Sequence, residues 1–181
     1  IASSIVMRLQ TLVSRELNPT DSAVVTVGSF QAGSKHNIIP DEARLQITVR
    51  SYKDKTRQHL LDGIGRIARA EAMAAGLPED KLPVVTVSDP YTPATYNTPD
   101  FTDRVMTTLR PRFEGRVQET PAVMGGEDFS QFYRADRENV ESLIFWVGGV
   151  PKDQWERAQK GEIALPSLHS PFWAPDAPVV I

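Results

Sequence analysis

The sequence predicts an α+β fold that begins helix, strand, strand, helix, strand, one leading strand short of a split βαβ motif. Three observations lead there. Two stretches, residues 1–17 and about 54–75, carry apolar residues at helical spacing. Between them lie two β-branched or alternating runs, 22–30 and 38–52. A further β-branched run, "LPVVTVSD" at 82–89, follows the second helix. One strand ahead of Ile1 would complete a ferredoxin-like order.

Each element has its own local reason. In "IASSIVMRLQTLVSREL" the residues Ile5, Leu9, Leu12 and Val13 recur on one helical face, and Asn18-Pro19-Thr20-Asp21 ends it in a turn. "SAVVTVGSF" is rich in residues that suit a pleated surface. In "IIPDEARLQITVRSY", Ala43, Leu45, Ile47 and Val49 share one face and Arg44, Gln46, Thr48 and Arg50 the other, which predicts a sheet with one wet side. The long helix has the stripe Leu60, Leu61, Ile64, Ile67 and Ala68. Gly76 stands where a helix-ending glycine belongs, and Pro78 prevents continuation.

"PYTPATYNTPD" holds three prolines and two tyrosines in eleven residues and reads as a linker. The expected organisation is a first domain over 1–90, a linker over 91–97 and a second segment over 98–181. Beyond the linker, "TPDFTDRVMTTLRPRF" predicts a helix capped at Thr98 or Asp100, with Phe101, Val105 and Leu109 facing inward. A Gly-Gly loop, a short helix, a strand "SLIFWVGGV" and a polar helix near "KDQWERAQKG" follow. Both ends read as cut: the first residue already lies in a helix, and "PDAPVVI" stops on an apolar run. A fragment of a longer protein is the expectation.

Composition narrows the classes of function. With 181 residues, 40% hydrophobic and 24% charged, the chain is neither disordered nor of low complexity. A net charge of −3 gives no bulk attraction for nucleic acid. No apolar run approaches the roughly 20 residues that span a bilayer. The absence of cysteine excludes disulfides and thiolate metal sites, and fits a reducing compartment. A cytoplasmic location is expected, with a periplasmic or secreted one as the alternative.

Several residues carry possible chemistry. His169 sits in "LHSPF", where Pro171 holds Ser170 extended. An imidazole in such a loop suits a metal ligand or a general base, and equally a hydrogen-bonded structural histidine. In "AVMGGEDFSQF", Gly125 and Gly126 let the main chain approach another group, and their amides suit an anion. Glu127 and Asp128 after them suit either the orientation of a metal-binding histidine or a helix N-terminus. Unaided, Asn37 in "KHNIIPDEA" reads as a turn residue and Arg50 as a solvated charge.

"NIIPDEARLQITVRS", "VMGGEDFSQF" and "LHSPF", in this order, together resemble the dinuclear-zinc metallopeptidase family of aminoacylase, carboxypeptidase G and hippurate hydrolase. The N-acyl-amino-acid amidohydrolase branch is most similar, also through "LVSRELNPTDSAVVTVGSFQAGSKHNIIPDEA" and "YTPATYN". The resemblance covers nearly the whole chain. It implies a ferredoxin-like lid domain with its first strand missing, usually a dimerisation domain, followed by the C-terminal part of an α/β zinc-peptidase catalytic domain.

The implied activity of the intact protein is hydrolysis of the amide bond of N-acyl amino acids or small peptides. Two divalent metal ions, zinc in the family, would assist it, and a homodimer would form through the lid. The general base and most metal ligands fall in the family's earlier half, so no catalytic residue is assigned here. His169 matches a zinc ligand. Met124, Gly125 and Gly126 match the loop against the substrate, and Glu127 a position behind the ligands. Asn37 and Arg50 match lid positions that hold the substrate carboxylate. Their separation along one strand argues against a single shared carboxylate unless the Asn37 loop doubles back or a second subunit intervenes. The fragment alone is expected to be inactive, because one ligand holds zinc poorly. The alternatives are a non-catalytic lid-type dimerisation module and a small ligand-binding domain. No nucleic-acid or membrane partner is expected.

Overall fold

The computed structural model describes residues 1–175. Two compact units are present, Ile1–Ser142 and a second from Leu143 onward.

The first unit is built on a hairpin and two helices. α1 (Ala2–Glu16) precedes β1 (Ala23–Ala32) and β2 (Ala43–Ser51), and α2 (Asp54–Ala74) follows. β1 and β2 pair antiparallel, from Ala23 opposite Ser51 to Ala32 opposite Ala43. The helices bury one stripe each against the hairpin's apolar face. Ile5, Leu9 and Leu12 of α1 meet Leu60, Ile64, Ile67 and Ala68 of α2, with Val25, Val27, Leu45, Ile47 and Val49 packed on them. The helices approach closely at Gly63, where an added Cβ would lie 2.4 Å from Leu12 Cδ2. Leu61, expected in the core stripe, is only half-buried.

Gly28 is an extra residue in β1. Val27 faces Ile47, yet Ser29 already faces Gln46. This bulge shifts the alternation of faces, so Phe30 lies opposite the inward Leu45. At the end of α2, Gly76 adopts φ +78°. Its amide donates to the Met73 carbonyl (2.9 Å) and the Leu77 amide to the Ala72 carbonyl (3.1 Å). That pair of bonds is the Schellman arrangement the sequence predicts.

Two expected strands do not form. Residues 82–89 enter no sheet, and among the described residues the ladder has two strands. A strand needs a neighbour for its main-chain groups, and among the described residues β2 has none on its far edge. The observed sheet is thus a hairpin, short of a ferredoxin-like one. "SLIFWVGGV" likewise forms no strand, and Phe145, Trp146 and Val147 are 51–62% exposed.

The rest of the first unit holds α3 (Pro99–Arg112) and α4 (Ser130–Ala135). Phe101, Val105 and Leu109 share the half-buried face of α3. Thr98 precedes α3 without capping it by its side chain. Its hydroxyl instead donates to the Ser142 carbonyl (3.2 Å) and accepts from the Ser142 amide (3.1 Å). Among the described residues, the second unit has one helix, α5 (Lys152–Gln159), where the polar stretch predicts it. No helix among the described residues is long and apolar enough to cross a membrane.

Candidate functional site

The end of β2 and the start of α2 meet the glycine loop and α4. Arg50 is outward-facing at the β2 end, because its strand neighbours Val49 and Ser51 turn the other way. Its guanidinium donates to the carbonyl of Met124. Two of the residues singled out in the sequence are therefore brought together, although 74 positions separate them. Gly125 and Gly126 follow directly. A Cβ on Gly125 would meet nothing within 4 Å, whereas one on Gly126 would lie 3.3 Å from Thr92 Cγ2. A side chain at position 126 would thus be tight against Thr92, and Gly125 leaves its main chain open.

Glu127 and Asp128 are exposed and stand just before α4. Their carbonyls accept from the Ser130 and Gln131 amides at 3.2 and 2.9 Å. The aromatics behind them are unequal. Phe129 and Tyr133 are half-buried, with Tyr133 5.2 Å from the Tyr96 ring, while Phe132 is 66% exposed and lies with its ring 5.7 Å from that of Phe129.

A charged clamp that sequence reading missed fixes this corner. Asp54, first residue of α2, accepts from Arg134 Nη1 at 2.8 and 3.0 Å and from Arg137 Nη2 at 2.9 Å. The Arg134 hydrogen bond, then that of Arg137, hold the Asp54 carboxyl below its ordinary range, against a smaller opposing effect of burial. Arg57 lies 3.6 Å over the Tyr91 ring, and Gln131 donates to the Tyr91 carbonyl at 3.2 Å. The only local signals were an acid in the first turn of a helix and two arginines three positions apart.

Asn37 does not join this site. It is exposed in the loop joining β1 and β2, whereas Arg50 pairs with Val24 at the other end of the hairpin. Ala43 to Arg50 alone spans roughly 23 Å of strand at about 3.3 Å per residue. His169 belongs to the second unit, exposed in a turn closed by the Ser170 amide on the Ser167 carbonyl at 2.9 Å. Among the described residues no group of three or more His, Asp or Glu could hold a metal ion. A zinc site needs about three or four protein ligands, so the described residues alone do not fit one.

Comparison with known proteins adds the family. Residues 1–75 match the model of the peptidase dimerisation domain. YhaA of Bacillus subtilis (strain 168), assigned as an amidohydrolase, is 34% identical over 84% of this chain and 36% of its own length. An N-acetyldiaminopimelate deacetylase of Anoxybacillus flavithermus is 31% identical over 81% of the chain and 36% of its own. A crystal structure of an assigned aminohydrolase from methicillin-resistant Staphylococcus aureus superposes with a TM-score of 0.60 at 30% identity, covering 74% of this chain and 33% of that one. The chain spans about a third of the length of the curated relatives it matches. Residues 1–75 therefore belong with the peptidase dimerisation domains, and the chain is a relative of amidohydrolases, deacetylases and carboxypeptidases.

Proposed function

We propose that this chain supplies the lid and the C-terminal catalytic segment of a metal-dependent amidohydrolase that cleaves N-acyl amino acids or small peptides. The lid covers 1–90, the linker 91–97 and the catalytic segment 98–181. The observation that carries the reading is the reach of the relatives: their similarity extends over 76–84% of the chain, well past the dimerisation domain at 1–75. The intact protein is a homodimer through the lid, located in the cytoplasm.

Arg50 is the best-supported substrate group in this reading. A guanidinium has five N–H donors in a planar fork, of which the Met124 carbonyl engages one edge. The fork suits a substrate carboxylate beside the Gly125-Gly126 main chain. Asn37 of one subunit serves a different place from Arg50 of the same subunit. His169 is one metal ligand in the intact protein, with Glu127 behind the ligand shell. The two divalent ions of the family need partners that lie outside this chain, so no step of the reaction is derived through them here.

The test is hydrolysis of N-acetyl-amino acids by the 181-residue chain and by the longer protein that contains it. The longer protein hydrolyses them, and Arg50→Ala raises KM at least tenfold with a smaller change in kcat. The 181-residue chain alone is inactive and holds zinc weakly. Hydrolysis by the isolated chain, or an unchanged KM in the Arg50→Ala protein, refutes the assignment.

A further inference from the structure

Two polar contacts of opposite sense join the β2–α2 corner to the glycine loop and α4. Arg50, at the end of β2, donates to the Met124 carbonyl. Asp54, at the start of α2, accepts from Arg134 Nη1 at 2.8 and 3.0 Å and from Arg137 Nη2 at 2.9 Å. The corner thus offers a donor and then an acceptor, and the facing chain answers with an acceptor at Met124 and donors at Arg134 and Arg137. Such a pairing cannot slide, because a shift would set donor against donor. A further contact backs it: Arg57 lies 3.6 Å over the Tyr91 ring, and Gln131 of α4 donates to the Tyr91 carbonyl at 3.2 Å.

α4 does not hold this geometry by itself. It has six residues and no side-chain cap, and isolated helices shorter than roughly 12–15 residues are marginal in water. Its opening amides, at Ser130, Gln131 and Phe132, donate to the carbonyls of Glu127, Asp128 and Phe129 at 3.2, 2.9 and 3.2 Å. Loop and helix therefore move as one piece. The turn that carries Arg137 is fixed in its own right, because Asp136 Oδ1 accepts from the Glu138 and Asn139 amides at 3.2 Å each. A carboxylate held by two charged donors from separate residues resists rotation of the piece that carries them. Arg50 is exposed, and a long exposed side chain keeps its rotamer freedom unless its head is held. The Met124 carbonyl holds it, and the place of that carbonyl depends on α4.

We propose that Asp54 is a positioning residue: by gripping Arg134 and Arg137 it holds α4, and through α4 the Met124 carbonyl that aims the Arg50 guanidinium at the substrate carboxylate. This rests on the assignment of Arg50 given above. Asp54 acts through Arg50 and touches no substrate. Without the grip, the substrate must order the Arg50 fork on binding, so KM rises while the reacting bond is unaffected. The charge at position 54 matters more than the bulk. Guanidinium groups have donors only, and an amide there would offer one acceptor oxygen and turn its own N–H donors toward them.

The test has one readout without substrate and one with it. In the 181-residue chain, followed by hydrogen exchange and mass spectrometry, Asp54→Asn speeds amide exchange of residues 130–135 by about fivefold or more and leaves residues 60–72 of α2 unchanged. Asp54→Glu keeps the charge and stays within about twofold of the parent in both segments. In the longer protein that contains this chain, Asp54→Asn raises KM for an N-acetyl-amino acid by about fivefold or more and changes kcat by less than about twofold. In the Arg50→Ala background the same change adds less than about twofold to KM, since the group it positions is gone. Arg134→Gln repeats the pattern from the other side of the pair. Unchanged exchange in 130–135 overturns the proposal. So does faster exchange throughout α2, which makes Asp54 a general stabiliser. An unchanged KM, or a KM effect that persists in full beside Arg50→Ala, overturns it as well. If the parent longer protein hydrolyses no N-acetyl-amino acid, the hydrolase assignment fails, while exchange in 130–135 still decides the grip on α4, so the two failures are distinguishable.

Discussion

Gly63→Ala tests the packing of α1 on α2. A Cβ at position 63 would stand 2.4 Å from Leu12 Cδ2, 3.4 Å from Cδ1 and 3.5 Å from Cγ. Carbon atoms in contact prefer about 3.5–4.0 Å, so Leu12 must give way by about 1 Å. Leu12 is fully buried, so its side chain can move only by repacking against its core neighbours. Overpacking of this kind costs about 1–3 kcal/mol. Against it stands the helix preference of alanine over glycine, about 0.8–1.0 kcal/mol. The net is a loss of about 0–2 kcal/mol. Gly65, two positions on, is the control: a Cβ there meets nothing within 4 Å. Gly65→Ala should stabilise by about 1 kcal/mol, which separates the two variants by about 1–3 kcal/mol. In urea unfolding, with m values of about 1–3 kcal/mol/M, that is a difference in midpoint on the order of 1 M. A double-mutant cycle sharpens the test, because the cost of Gly63→Ala should vanish in a Leu12→Ala background. Equal stabilisation by the two glycine replacements would refute the close approach of the helices.

Two other perturbations have defined outcomes. Asp54 has a depressed folded-state pKa, so its ion pairs with Arg134 and Arg137 contribute fully above the unfolded value near 3.9 and are lost as pH falls through the folded value. Its side chain is half-exposed, so Asp54→Asn should cost no more than about 1 kcal/mol at neutral pH; thermal unfolding from pH 7 to pH 2 checks it, since the variant and the parent should converge in acid. Gly76→Ala forces a side chain into φ +78°, a region that costs L-residues about 1–2 kcal/mol, and a lower urea midpoint with unchanged far-ultraviolet dichroism is the expected result.

The elements that were legible in the sequence are those whose signal is local. The α1 stripe, the Leu45-Ile47-Val49 alternation and the Gly76 stop each depend on residues within a turn or two, and each stands where the pattern puts it. The 82–89 and 142–150 strands misled because propensity names what suits a sheet, whereas a strand exists only with a neighbour. Of the candidate site, the Gly125-Gly126 loop stood out from its own residues, and Arg50 only as a member of a resemblance. Their meeting through Met124 is a contact across 74 positions that no spacing reveals. The Asp54–Arg134–Arg137 clamp is similar: on its own element, each residue passes for an ordinary surface charge.

The bulge at Gly28 gives the hairpin something like a reading frame. On the α1-facing side, β1 counts in odd numbers through Val25 and Val27 and in even numbers from Phe30 onward. Deletion of Gly28 would merge the two frames into one regular alternation, with Ser29 still opposite Gln46 and Phe30 still opposite Leu45. Loss of two residues from the 33–42 connection would leave both frames intact. The bulge thus works as a spare position: one residue can be lost there, and the apolar face of β1 keeps its phase on both sides.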